Sequence, residues 1–390
     1  MNFDAMIDRR HTLSSKWSQL EPLYGLSAED GLAMWVADMD FRAPDCVRDA
    51  LRAFADQGDF GYQAKNQPYL DAISGWMDRR HGWRVDPDSI FTTSGLVNAV
   101  ALCLETWTAP GDGVVLMTPV YHAFARVIRA NDRTVVECPL AQSDGRYEMD
   151  FDAWDAQMTG TEKMIILCSP HNPGGRVWTR EELQGIANFA KRHNLILISD
   201  EIHHDLVYPG HQHSPMALVD PDISDRLVML TAASKTFSIA GPHVGNVILP
   251  DPDLRRAFAT RLAAVGNPAS TVGMAMVTAA YSTDGAAWLD ALLAYLDDNR
   301  KTFDAGINAI PGLRSMPLEA TYLSWVDFSG TGMSAEEITR RVVQGARIAP
   351  NYGQTFGTGG ETYLRFNIGT QRARITEAVS RLQAAFADLQ

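Results

Sequence analysis

Five short apolar runs punctuate the middle of the chain: Gly113–Thr118, Met164–Cys168, Leu195–Ser199, Leu227–Thr231 and Asn246–Leu249. Runs of this length without polar alternation suit strands covered on both faces. Amphipathic stretches separate them. In one, Thr179 precedes a helix-like segment reaching His193, with Glu181 and Glu182 in its first turn, the pattern of an N-cap and capping box. The alternation predicts an α/β fold, a mostly parallel sheet covered by helices. After residue 284 the pattern changes. Trp288–Ile307 predicts one long helix, Tyr322–Phe328 and Tyr363–Asn367 alternate as strands, and Arg372–Leu389 closes the chain as an amphipathic helix. The predicted organisation is a large domain over 45–284 and a smaller α+β domain built from 1–44 and 285–390. The N-terminal segment, which has no strong pattern of its own, is expected to pack onto the smaller domain.

Composition narrows the function classes. A chain of 390 residues exceeds one ordinary core, in keeping with two domains. With 46% apolar and 21% charged residues it reads as globular. A formal net charge of −13 offers no basic face to nucleic acid. Cys46, Cys103, Cys138 and Cys168 lack framework spacing and read as buried thiols of a reducing cytoplasm. The first ten residues hold no apolar signal core, and no apolar stretch is long enough for a membrane. The expected setting is cytoplasmic.

In open α/β sheets, ligands bind beyond the carboxyl ends of strands, so the residues after each apolar run carry the chemistry. They are Tyr121 after the first, Asn172 after the second, Asp200 after the third, and Ser234 with Lys235 after the fourth. An amine, a carboxylate, an amide and an aromatic ring on one edge match the parts of pyridoxal phosphate. Lys235 would bond to the cofactor's aldehyde, and Asp200 would keep its ring nitrogen protonated. Asn172 would donate to the ring hydroxyl O3′, and Tyr121 would stack on the ring and, as a catalytic candidate, carry a proton or tune Lys235. Ser94, Gly95 and Leu96 precede an apolar helix-like run from Val97, and amides at such a start bind phosphate.

Asn172-Pro-Gly, Ser199-Asp-Glu-Ile202 and Ser234-Lys235 followed by Gly241, His243 and Gly245 resemble the class I/II aminotransferase family of fold type I pyridoxal-phosphate enzymes, over nearly the whole chain. The resemblance implies that fold, with a seven-stranded sheet in the large domain. It assigns Arg365 to the substrate α-carboxylate, for which a forked guanidinium is suited. Met34–Phe41, Phe60-Gly-Tyr62 and Asp200–His204 resemble the cystathionine β-lyase-like C–S lyases, a subgroup that includes a maltose-regulon modulator. That subgroup implies that Trp35–Phe41, with Ala37, lines the substrate entrance. It also implies that Tyr62 reaches the cofactor phosphate of a neighbouring subunit, hence a homodimer. The chain departs from the broader family at His243, where arginine commonly contacts the phosphate, at Ala232, where serine is frequent, and at His203, where tyrosine often stands near O3′. Ser234 and His243 are then expected to help hold the phosphate, and the missing arginine favours lyase over transaminase.

The reaction this implies is α,β-elimination, with Lys235 as the general base at Cα, giving a thiol, pyruvate and ammonia from a small amino acid such as cystathionine. Transamination uses the same lysine and aspartate. A regulatory protein on the same scaffold is the third reading, opposed by the complete set of Lys235, Asp200 and Asn172. No metal is expected: His203, His204, His211 and His213 lack helical i, i+4 spacing. Asp38 and Asp40 read as loop hydrogen-bonding groups in preference to a carboxylate pair.

Overall fold

The computed structural model describes residues 1–62, 64–266 and 269–389. Seven strands form the main sheet: β1 Ile90–Thr93, β2 Gly113–Leu116, β3 Thr134–Glu137, β4 Glu162–Cys168, β5 Ile196–Asp200, β6 Leu227–Thr231 and β7 Gly245–Ile248. Their order is β1-β7-β6-β5-β4-β2-β3. Only β7 is antiparallel to its neighbours. This is the expected mostly parallel α/β sheet. Residues Met164–Cys168 of β4 and all of β6 are buried, as their unbroken apolar runs demand. The hydrophobic pattern does not predict β1 or β3. Both are short sheet-edge strands, and no residue of β3 is fully buried, so neither carries a continuous apolar signal.

The capping box forms as read. The Thr179 hydroxyl accepts the Glu182 N–H at 3.2 Å, and Glu182 accepts the Thr179 N–H at 2.7 Å, opening the helix Arg180–Arg192. The long helix starts earlier than Trp288, at Thr283, because Ser282 caps it by accepting the Gly285 N–H. The final helix, Arg372–Ala385, ends before the predicted Leu389 and gives way to a single 3₁₀ turn.

A second, antiparallel sheet holds β8 Arg314–Ser315, β9 Leu323–Asp327, β10 Asn351–Tyr352 and β11 Tyr363–Asn367, in the order β8-β9-β11-β10. Every residue of β11 is buried, Arg365 included. The N-terminal segment is tied to this region by a short parallel pair, Leu32–Ala33 with Ile348–Ala349. Because β2, β4, β5 and β6 are parallel, their carboxyl ends share one edge of the main sheet. The chain after Ala33 crosses towards that edge and places Ala37 there. Among the described residues no helix is long and apolar enough to cross a membrane.

Candidate active site

A cavity of about 340 Å³ opens at this edge. Ala37, Ser94, Gly95, Leu96, Tyr121, Asn172, Asp200, His203, Ser234, Lys235 and His243 all line it. The structure therefore brings together eleven of the residues singled out in the sequence. Arg126, one turn into the helix that Tyr121 caps, also lines it and carries no motif that would mark it in the sequence.

The charged groups of the cavity are poised rather than neutralised. Lys235 is half-buried, and its Nζ donates to the Ala37 carbonyl at 2.6 Å. Burial, which disfavours the ammonium, brings its pKa down to about 8. Asp200 is buried, and among the described residues its carboxylate accepts one hydrogen bond, from the Ile202 N–H at 3.1 Å. With so little compensation, burial lifts its carboxyl to about 7. The buried His203 imidazole is pushed well below its usual range by burial, and its Nδ1 has no partner among the described residues.

Arg365 does not line the cavity itself; it stands behind Asn172, which does. It donates to Asn172 Oδ1 at 2.8 Å, to the Trp35 carbonyl at 2.9 Å and to Asn351 Oδ1, and its guanidinium stacks over the Phe356 ring. No carboxylate pairs with it among the described residues. Burial pulls its pKa down to about 10. A buried guanidinium without a counter-ion is costly and is a natural receptor for a ligand carboxylate. Arginine can only donate, so it holds the Asn172 oxygen and leaves the amide NH₂ for another acceptor. Asn351 is distant in sequence and carries no motif; only the pairing of β10 with β11 reveals its role.

The anion end is built by backbone. Gly95, with φ +86°, precedes the helix Leu96–Trp107, whose start has no side-chain cap. Its first amides therefore remain available to a ligand. A methyl built on Gly95 would lie 3.8 Å from His243 Nδ1, which puts that imidazole beside the helix start. Gly245 lets β7 approach the same place. A methyl there would lie 2.6 Å from Leu96 Cδ2 and 2.9 Å from the Gly95 carbonyl carbon. Gly245→Ala is therefore expected to displace the helix start and destabilise the protein by roughly 1–3 kcal/mol. A lower urea midpoint with an unchanged slope would show it.

Behind Lys235 sits a buried polar hub. Asp205 accepts from Thr236 Oγ1 at 2.9 Å, from Trp76 Nε1 at 3.1 Å and from His81 Nε2 at 2.8 Å. His81, His204 and Asp205 offer ligand-type atoms within 4.8 Å of one another. The four histidines grouped by sequence separate: His203 lines the cavity and His211 is exposed, whereas the His204 and His213 rings lie 6.2 Å apart, His204 against Asp205 and His213 bonded to Glu201 at 2.8 Å. His81, far away in sequence, joins them, its ring 4.6 Å from that of His204. Asp38 and Asp40 each bind cations, Arg9 for the first and Lys16 for the second.

Tyr62 is not in the cavity of its own chain. It is fully exposed and, with the exposed Phe60, fronts a separate cavity of about 610 Å³.

Comparison with known proteins agrees with this geometry. The family model described as aminotransferase class I and II matches residues 32–382. The chain is 38% identical to cystathionine beta-lyase PatB of Bacillus subtilis (strain 168) over 388 residues, covering 99% of this chain and 100% of that protein. The crystal structure of cystalysin from Treponema denticola, which contains a pyridoxal 5′-phosphate cofactor, superposes with a TM-score of 0.95 at 34% identity over 100% of this chain and 99% of that one. The PLP-bound C–S lyase from Staphylococcus hominis superposes with a TM-score of 0.91 at 30% identity, over 99% and 98% of the two chains. With its sheet, its cavity and its sequence in agreement, the chain belongs to the aminotransferase class I and II family.

Proposed function

We propose that this protein is a pyridoxal-phosphate-dependent carbon–sulfur β-lyase that releases a thiol, pyruvate and ammonia from L-cystathionine or related S-substituted cysteines. The cofactor part of the reading rests on one cavity joining the Lys235 amine and the under-compensated Asp200 carboxyl, with Asn172 on its lining bonded to an Arg365 guanidinium that has no counter-ion among the described residues; the lyase part rests on the likeness to cystathionine beta-lyase PatB and to the Staphylococcus hominis C–S lyase. Those groups fit the cofactor. Among the described residues Asp200 has no cationic hydrogen-bond partner, which a protonated ring nitrogen would supply. The uncapped helix start at Leu96 suits a phosphate. When bound, the cofactor supplies an electron sink for the pair left on the substrate's Cα.

The chain's own groups do the rest. Ser234, His243 and the amides of Gly95 and Leu96 would hold the phosphate, the Asn172 NH₂ and His203 would serve the ring hydroxyl, and Tyr121 would stack on the ring. Arg365 binds the α-carboxylate and so orients the Cα–H bond towards Lys235, whose Nζ removes that proton. The β-sulfur then leaves as a thiolate. Ala37 closes the entrance and limits water. Incubation with L-cystathionine, assaying free thiol and pyruvate, tests the reading. Absence of thiol together with 2-oxo-acid-dependent amino transfer would replace it with the transaminase.

A dimer completes the site in this reading. Phe60 and Tyr62 are large exposed aromatics of a kind that mark interfaces, and Tyr62 would reach the partner's phosphate. The dimer makes a sharp prediction. Tyr62→Ala and Lys235→Ala each cripple every site of their homodimers. Co-refolded in equal amounts, they form hybrids with one intact site, restoring about a quarter of wild-type activity. No gain on mixing would mean that Tyr62 does not serve the neighbouring site.

A further inference from the structure

The segment Met34–Asp40 passes over the cavity with every one of its carbonyls engaged, yet it belongs to no sheet there. Asn367 holds the Met34 carbonyl through its backbone N–H at 2.8 Å and the Val36 and Asp38 carbonyls through its side chain at 2.7 and 2.9 Å. The Trp35 carbonyl accepts from Arg365 and the Ala37 carbonyl from Lys235. The Met39 carbonyl accepts from Arg9 at 2.9 Å and from Ser238, and that of Asp40 from Gln371 at 2.7 Å. Backbone bonds tie the strap at its two ends, Met34 to Asn367 and Ala349 and Asp40 to Gly369, and between them side chains hold its carbonyls. Two of these side chains are the groups assigned above to the Cα proton and the substrate carboxylate.

The strap ends in a buried ion cluster that the proposed reaction does not use. Asp40 is 1% exposed, and its carboxylate accepts from Lys16 at 2.7 Å, from Trp17 Nε1 at 2.9 Å and from Arg9 at 3.2 Å, with Arg374 3.3 Å away. Lys16 is wholly buried and gives a second hydrogen bond to the Asp38 carbonyl at 2.9 Å. Arg9 also pairs with Asp38. Three cations thus meet two carboxylates in a region where desolvation is expensive. An apolar cluster of the same volume would serve stability as well or better. What the ions add is direction, because Lys16 and Arg9 each bridge acceptor atoms of successive strap residues, Lys16 the Asp38 carbonyl and the Asp40 carboxylate, Arg9 the Met39 carbonyl and the Asp38 and Asp40 carboxylates.

We infer that Asp40 and Lys16 are positioning residues of the active site: they fix the strap so that the Ala37 carbonyl receives the Lys235 amine and the Trp35 carbonyl receives the Arg365 guanidinium. One hydrogen of the Lys235 amine points at Ala37 O, so the lone pair of the neutral amine would face away from that carbonyl. The Arg365 fork has one arm held by the strap, which sets the plane presented to the substrate carboxylate. The catalytic half of this inference rests on the roles given above to Lys235 and Arg365; the mechanical half does not.

The test uses Lys16→Met, which keeps the buried volume and removes both hydrogen bonds, and Asp40→Asn. Arg9→Gln, at a partly exposed position, serves if either fails to fold. Asp220→Asn, which removes a different buried carboxylate bonded to Lys191 and Gln184, is the control. Hydrogen–deuterium exchange of the peptide spanning 34–41, with and without cofactor, should rise at least about tenfold in the cluster variants and not in the control. Thiol-release kcat should fall about 10- to 100-fold, with the cofactor absorbance and the overall fold unchanged. Unchanged exchange in the strap would overturn the inference, as would faster exchange with wild-type kcat. If the wild-type protein releases no thiol, the lyase reading fails, while the exchange comparison still decides whether the cluster holds the strap.

Discussion

Lys235→Ala is expected to lower kcat for thiol release from L-cystathionine by at least about 10³-fold. The variant should fold normally, because Lys235 makes one hydrogen bond, to the Ala37 carbonyl, and contributes no ion pair among the described residues. Its loss removes a half-buried amine and only one of the many hydrogen bonds that hold the 34–40 segment. Two readouts separate a lost base from a lost site. Borohydride reduction should attach the cofactor covalently to the Lys235-bearing peptide of the wild type and to no peptide of the variant, by mass spectrometry. A small primary amine added to the variant should restore part of the rate, with restoration increasing as pH rises and more of the added amine is unprotonated. A variant retaining wild-type kcat would remove Lys235 from the reaction altogether.

The same residue shows why the site is legible in the sequence. Tyr121, Asn172, Asp200 and Lys235 each stand at or just beyond the end of a buried parallel strand, and parallel strands carry such residues to one shared edge. Burial on both faces makes those strands unbroken apolar runs, so motif and position can be read together. The edge strands β1 and β3 lack that double burial and leave no comparable signal. Arg365 is visible only through family resemblance, because a strand arginine is ordinarily a surface residue. Its partners cannot be read at all. The bond to Asn172 spans 193 positions and that to Trp35 spans 330, and no local pattern encodes contacts of that separation. The buried Lys16–Asp40 pair is of the same kind: two charged residues in a weakly patterned N-terminal segment look solvent-facing until the fold closes over them.

Asp200→Asn should separate activity from stability in opposite directions. The amide keeps the shape and can still accept the Ile202 N–H, but it cannot hold a proton on a ring nitrogen by charge. Loss of that electron-sink support should cost about 10³-fold or more in kcat. Stability of the cofactor-free protein should move the other way. Burial raises the Asp200 carboxyl from an ordinary value of 3.8 to about 7. The folded state therefore binds more protons than the unfolded state between those values, and folding loses free energy as pH rises through that window. Above pH 7 the buried, ionised carboxylate costs of order 2–4 kcal/mol; near pH 4 the carboxyl is protonated when folded and the cost largely vanishes. Asparagine removes the cost at high pH and changes little at low pH. Cofactor-free Asp200→Asn is thus expected to melt about 2–5 °C above the cofactor-free wild type at pH 8 and within about a degree of it near pH 4.5. With cofactor bound the order should reverse, since the wild-type carboxylate then meets its cation and the variant does not. Equal melting temperatures at pH 8 without cofactor would mean that water or a neighbouring group already compensates the Asp200 charge, and that the carboxylate is not held in readiness for a cationic ring.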